Sequence, residues 1–281
     1  MIKMKNYLLN KIRKATKSIG KIENNIQDKI TYNLSKKQKS LTLKEKDFEN
    51  IIRKKNVPKK IATVICFYFK EKRLSTLNKN ILKISKYNFK KNITIITNDI
   101  SRKEEDKIKK IIKSKIKEYS IIKVKNLPDD NFLPWHSINI MKEKIKNKSY
   151  SHFMFLEDDI IVSSENISYW LYFRKKLKKY NLIPNFLRCE KFNGKYYSVD
   201  NPKVILKDKV PTIFSQSKNS GFINSKYPYS GMYLMDRDLL KNFLNSKASK
   251  IDFSFTNKVM KSLYPIKELA NISYAYHAVP P

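Results

Sequence analysis

From Ile61 onward the chain alternates between continuous apolar runs and segments with a helical period. The run I-A-T-V-I-C-F-Y-F, Ile61 to Phe69, predicts a strand buried on both faces. A basic loop follows, then a helix over Leu74 to Ser85 with Leu74, Leu77, Ile81 and Ile84 on one face. I-T-I-I-T-N-D, Ile93 to Asp99, predicts a second buried strand ending in a polar pair. A charged helix from about Arg102 to Lys117 leads to a strand over Ser120 to Val124. The loop N-L-P-D-D-N-F-L-P-W-H then opens a helix near His136, with Ile138, Met141 and Ile145 at helical spacing. Strands alternating with helices imply βαβ units and a mainly parallel sheet.

The stretch F-M-F-L-E-D-D-I-I-V, Phe153 to Val162, breaks this pattern in one respect. Its apolar run reads as a buried strand, yet three consecutive carboxylates sit at its end: Glu157, Asp158 and Asp159. Three acids in an apolar setting repel one another and are costly to bury without a cation. Solvated acids at an exposed strand end are the plainer alternative. In a chain otherwise full of Lys, the triplet points instead to a divalent-cation site. Hard oxygen ligands suit Mg2+ or Mn2+, commonly shared with substrate phosphates.

After the acids, Ser164 is the expected N-cap of a helix with Glu165 in its first turn and Ile167, Trp170, Leu171 and Leu177 on its buried side. Beyond Pro184, F-L-R-C-E (Phe186 to Glu190), a turn at Asn193-Gly194 and K-Y-Y-S-V predict a hairpin. Residues 200–226 form a loop-rich excursion. Y-S-G-M-Y-L-M, Tyr229 to Met235, predicts a strand, and Asp236 caps a helix carrying Leu239, Leu240, Phe243 and Leu244. Residues 1–58 are rich in Lys and Asn with a weak helical period through Tyr7, Leu8, Ile12 and Ile19. Such a basic amphipathic helix suits an anionic membrane surface or simple packing on the domain.

At 281 residues and 41% apolar content the chain can bury a sizeable core. The formal charge of +35 raises nucleic acid or an anionic membrane as partners. Only seven of the sixty basic residues are Arg, however, and Lys is spread along the whole chain rather than gathered in a stripe. Dedicated nucleic-acid binding is therefore not expected. Cys66 and Cys189 lie in apolar contexts and form no metal or redox motif, as expected for cytosolic thiols. No apolar run reaches transmembrane length, and no signal peptide is expected from the N-terminal pattern.

In open α/β sheets, ligands bind beyond the carboxyl ends of the strands. Asp99 and the acids at 157–159 all fall at such ends. With these elements in order, the chain from about Ile61 onward resembles the GT-A class of glycosyltransferases, and within it the N-acetylglucosaminyltransferase I family. That family's metal motif is Glu-Asp-Asp at the end of an apolar strand. The likeness rests on order as well: basic residues after the first strand (Lys70, Lys72, Arg73), the Asn98-Asp99 pair, and a helix just before the triplet. An aromatic-containing helix, a strand running from Gly231 into a helix, an acidic spot and a late His follow. The resemblance implies that Asp159 ligates the metal directly and that Asp158 and Glu157 hold ribose, sugar or metal-bound water. It also implies that Asp99 accepts from a uracil and that Arg73 lies near the nucleotide. His136 is a candidate for facing the donor, and His277 for reaching the metal or a phosphate. Tyr227 and Tyr229 could stack on an acceptor sugar. The family's animal members are Golgi proteins with a membrane anchor, which is not expected here, and the 200–226 excursion has no counterpart in them.

What the resemblance implies is an α/β protein of GT-A type with a basic helical N-terminal segment over 1–58 and a catalytic domain over 59–281. Residues 59–165 would bind the nucleotide sugar and 166–281 the acceptor. The expected activity is metal-dependent transfer of a hexosyl or N-acetylhexosaminyl group, with inversion, from a nucleotide-diphosphate donor such as a UDP-sugar to a glycan or lipid-linked acceptor. Asp252 is the expected base, because apolar neighbours Ile251, Phe253 and Phe255 would raise its pKa. Glu190 and Asp236 are the fallbacks. A cytoplasmic location is expected, with peripheral contact to an anionic membrane face left open. The competing readings are a non-catalytic basic protein that binds membrane or nucleic acid, and a metal-dependent phosphoryl-transfer enzyme.

Overall fold

A computed structural model describes residues 40–43, 57–127, 130–186, 188–192, 195–198, 212–215, 221–222 and 231–250. The chain divides into two compact units. One takes residues 1–48 with 202–226; the other takes 49–201 with 227–281. The N-terminal residues and most of the 200–226 excursion thus share a unit. Its described part is a three-stranded sheet in which β1 (Ser40–Leu43) pairs parallel with β8 (Thr212–Ser215) and β8 pairs antiparallel with β9 (Gly221–Phe222).

The larger unit is α/β, as the alternating pattern predicts. Its strands are β2 (Lys60–Cys66), β3 (Lys90–Asn98), β4 (Tyr119–Val124), β5 (His152–Glu157) and β10 (Met232–Asp236). They lie in the order β10-β5-β2-β3-β4, parallel except for β10. Helix α1 (Leu74–Ser85) links β2 to β3, α2 (Arg102–Lys113) links β3 to β4, and α3 (His136–Lys144) links β4 to β5. The chain steps outward through β2, β3 and β4, then crosses back to lay β5 on the other side of β2. Right-handed crossovers put α1 and α2 on one face of the sheet and α3 on the other. The contacts agree: α1 packs on α2, and α3 packs on α5 (Arg237–Asn245). After β5 come α4 (Ser164–Leu177) and the antiparallel hairpin of β6 (Cys189–Phe192) and β7 (Lys195–Ser198).

Hydrophobic periodicity explains these elements. Leu77, Ile81 and Ile84 of α1 are buried, and Phe153 to Leu156 of β5 are buried on both faces, the state a continuous apolar run needs. Boundaries shift where polar residues join a ladder. β3 begins at Lys90 rather than Ile93, because Lys90, Lys91 and Asn92 pair with Lys60, Ile61 and Ala62. The cap of α4 is Ser163, not Ser164, because Ser163 forms a reciprocal capping box with Asn166. Helix α2 ends at Lys113, where Ser114 closes it. Asp236 caps α5 as expected, accepting from the Leu239 amide. Cys66 is a buried free thiol at the end of β2. No helix among the described residues is long and apolar enough to cross a membrane.

Candidate functional site

The fold's reversal point lies between β2 and β5, the place where an open parallel sheet leaves a crevice at its carboxyl edge. Register sets Cys66 of β2 opposite Glu157 of β5, so the acidic end of β5 flanks the exit of β2. Glu157 is the last residue of β5. The next two acids leave the strand in a tight turn, closed by the Ile160 amide donating to the Glu157 carbonyl at 3.2 Å. Asp158 and Asp159 occupy the two central positions of that turn, and their surroundings differ sharply. The Asp158 side chain is 2% exposed and that of Asp159 is 56% exposed.

Arg73, from the short 3-10 turn after β2, supplies the difference. Its guanidinium donates to both Asp158 oxygens, through Nε at 3.0 Å and through Nη2, and lies 3.7 Å from Asp159. Burial pushes the Asp158 carboxyl up to about 7; Arg73 opposes the shift and Asp159 adds to it. Burial also raises the Cys66 thiol well above its ordinary range, and the charges of Glu157 and Asp158 push the same way. The turn therefore gathers three carboxyl groups, of which Asp158 is paired with the Arg73 guanidinium.

Three further contacts fix the turn. Asn80 on α1 is fully buried and points its amide nitrogen at the carbonyls of Ile160, Asp158 and Glu157, at 2.9, 3.3 and 3.5 Å. Tyr87, just past α1, donates to the Val162 carbonyl at 2.7 Å. On the other side, the Gly231 carbonyl accepts from the Glu157 amide at 2.9 Å. Gly231 has φ +65, and a Cβ there would lie 2.8 Å from Ile160 Cγ1. Asn80 is a functional candidate that sequence reasoning overlooked, while Gly231 reads from the sequence only as the start of a strand and not for its place against the turn. The available signal for Asn80 was a polar residue at core spacing, three after Leu77 and four before Ile84.

The remaining expected residues divide into three groups. Asp99 is exposed just past the end of β3, at the same carboxyl edge. Its neighbour Asn98 accepts from the Phe69 amide at 2.7 Å, tying the exits of β2 and β3 together. His136 opens α3 after a turn that packs against β3; it is half-buried, and burial lowers its pKa. Asp236 lies at the opposite edge, paired with His152 at the start of β5 and bound by Arg174 at 2.8 Å. Glu190 is exposed in the β6–β7 hairpin. Asp252, His277, Tyr227 and Tyr229 lie outside the described residues.

Among the described residues no three His, Cys, Asp or Glu side chains converge as a metal cage. What the turn offers is one accessible carboxylate, Asp159, with Glu157 half-buried beside it. That donor set fits a hard cation that keeps most of its shell for water and substrate phosphates, not a closed protein site.

No protein-family model matches the sequence, and no curated protein matches it. Solved structures do show likenesses. The S. aureus protein TarS (residues 1–349) aligns over 76% of this chain and 55% of its own, at 13% identity and TM-score 0.43. GlyE, a glycosyltransferase of Streptococcus pneumoniae, aligns over 76% of this chain and 43% of its own, at 13% identity and TM-score 0.35. The mannosyltransferase PcManGT from Pyrobaculum calidifontis, solved with GDP-Man and Mn2+, aligns over 42% of this chain and 33% of its own, at 4% identity and TM-score 0.32. This chain thus spans between one third and just over half of the length of these three proteins.

Proposed function

We propose that this chain is a metal-dependent glycosyltransferase of GT-A type that moves a sugar from a nucleotide-diphosphate donor, a UDP-sugar first, to a glycan or lipid-linked acceptor with inversion. One observation carries the reading. At the reversal point of a mostly parallel sheet, Asp158 is claimed by Arg73 while Asp159 beside it faces solvent. An anionic turn that exposes a single carboxylate is suited to share a cation with a ligand that brings its own oxygens.

In this reading Asp159 holds Mn2+ or Mg2+, which when bound neutralises charge on the departing diphosphate. Asp158 contributes through Arg73, which it holds at the crevice floor near the nucleotide. Glu157 serves the sugar or ribose, Asp99 the base, and His136 the donor from the α3 side. His277 is a second proposed metal contact. Asp252 is the proposed base: its carboxylate takes the acceptor hydroxyl's proton as that oxygen bonds to the anomeric carbon, and the bond to the diphosphate breaks with its electron pair leaving on phosphate oxygen.

Calorimetric titration of the full chain with UDP, with and without Mn2+, tests the reading, together with hydrolysis of a panel of nucleotide sugars. Affinity should depend on Mn2+ in the wild type and lose that dependence in Asp159→Ala. Because Asp159 is exposed, that variant should keep its stability within about 0.5 kcal/mol. UDP affinity indifferent to Mn2+, with no donor turned over, would sink the proposal; Mn2+-dependent cleavage of phosphodiesters instead would favour phosphoryl transfer.

A further inference from the structure

We infer that Asn80 is the positioning residue of the acidic turn, setting the direction in which Asp159 presents its carboxylate; the inference rests on the function proposed above. Asn80 sits on the buried face of α1 between Leu77 and Ile84, where an apolar residue would complete the stripe. Its amide nitrogen faces three carbonyls of one turn, those of Glu157, Asp158 and Ile160. Only the nitrogen can face three acceptors, so the orientation of the amide is unambiguous.

The same orientation leaves the Asn80 amide oxygen buried with no hydrogen-bond partner among the described residues. A buried oxygen without a donor costs free energy, and an apolar side chain of the same size would avoid that cost. That cost is set against the donors Asn80 supplies to the carbonyls of the turn. The Ile160 amide closes the turn on Glu157, but that single bond leaves the Asp158 and Ile160 carbonyls to be held from outside. Asn80 reaches both. It also ties the turn to α1, the helix that begins immediately after Arg73, so both partners of the Arg73–Asp158 pair are set by one rigid element. Such outer partners orient a ligand carboxylate without touching the ion.

The test uses the full chain with Asn80→Leu, which is close to isosteric, and Asn80→Ala as a second variant. Three quantities are read: thermal midpoint, hydrogen exchange of the Ile160 amide, and UDP affinity with and without Mn2+. Asn80→Leu should lower the midpoint modestly, because the Asp158 and Ile160 carbonyls lose their donor, while exchange at Ile160 speeds up about fivefold or more, the scale of one lost hydrogen bond. Mn2+-dependent UDP affinity should fall about 10- to 100-fold. Asn80→Ala should show the same local effects on a midpoint lowered further by the cavity it leaves. Unchanged Ile160 exchange in both variants would overturn the inference, as would a lowered midpoint with exchange raised equally across β5. A wild type that ignores UDP and Mn2+ would sink the proposed function instead, and the exchange measurement would still decide whether Asn80 holds the turn.

Discussion

Arg73 grips both carboxylate oxygens of Asp158, joining the exit of β2 to the end of β5 across the reversal point of the sheet. The pair is half in water on one side only: the Arg73 side chain is 33% exposed, that of Asp158 only 2%. Removing Arg73 leaves a buried carboxylate without its cation, and its pKa then rises further because burial, the main cause of the shift, is no longer opposed by Arg73. Arg73→Met should destabilise the fold by about 1–3 kcal/mol, reduced from the value for a fully buried pair by the exposure of Arg73. Arg73→Met with Asp158→Asn should recover part of that loss. Arg73→Lys keeps the charge but not the two-pronged grip, and should recover less. Denaturant unfolding of the single and double variants measures the coupling directly; additive effects would mean that the pair does not act as a unit.

Gly231 faces the same turn from just before β10. Gly231→Ala forces a left-handed backbone on a residue with a Cβ, costing about 1–2 kcal/mol, and sets that Cβ 2.8 Å from Ile160 Cγ1. Ile160 must rotate or the turn must shift, and Glu157 Oε2 lies only 3.4 Å from the same point. The variant should therefore lose Mn2+-dependent UDP affinity beyond what its stability loss explains. Titration at a temperature where the variant is fully folded separates the two effects.

Much of this arrangement is legible in the sequence, and the remainder fails for identifiable reasons. Helix α1 over Leu74 to Ser85 follows from its apolar spacing, and β5 from its unbroken apolar run. Both signals are local. The Glu157–Asp159 triplet is visible as chemistry, but the division of labour between Asp158 and Asp159 is not, since it depends on Arg73 arriving from 85 residues away. The partnership of β1 with β8 is equally hidden. Ser40–Leu43 and Thr212–Ser215 are short segments far apart in the chain, and nothing in either specifies the other. Asn80 shows the opposite case: its departure from the apolar stripe was visible, but only the turn it holds gives the departure a meaning.

Asp236 lies at the far edge of the sheet and should behave as a structural residue. It accepts from the Leu239 amide at the start of α5 and binds Arg174, which is buried beneath it. Asp236→Ala removes a helix cap and strands a buried guanidinium, an expected loss of roughly 2–4 kcal/mol. UDP affinity measured on the folded variant should be unchanged, because β10 runs antiparallel to β5 and carries Asp236 away from Glu157. Equal loss of binding and stability would show that the two edges of the sheet are coupled.

His152 opens β5 beside that pair and sets a pH dependence of its own. It is held against Trp170 edge-on, with ring centroids 6.2 Å apart, and its Nδ1 lies 3.0 Å from the Ser151 hydroxyl. Burial lowers its pKa to about 4, with Asp236 pulling the other way. The unfolded chain takes up a proton at this imidazole near pH 6.5, whereas the folded chain does so only near 4. Stability from His152 is thus complete above pH 6.5 and lost as the pH falls toward 4, by on the order of 2–3 kcal/mol. Asp158 slopes the opposite way. Its raised pKa makes the folded state keep a proton that the unfolded state releases, so its contribution declines as pH rises toward 7. A wild-type profile alone would therefore show only the difference between the two. His152→Phe preserves the aromatic contact with Trp170 and cannot titrate. Subtracting its unfolding free energy from that of the wild type at pH 4.5, 5.5, 6.5 and 7.5 isolates the imidazole. The variant should gain relative to the wild type as pH falls from 6.5, with little change above it. A flat difference across the range would mean that His152 is solvated enough to charge in the folded state.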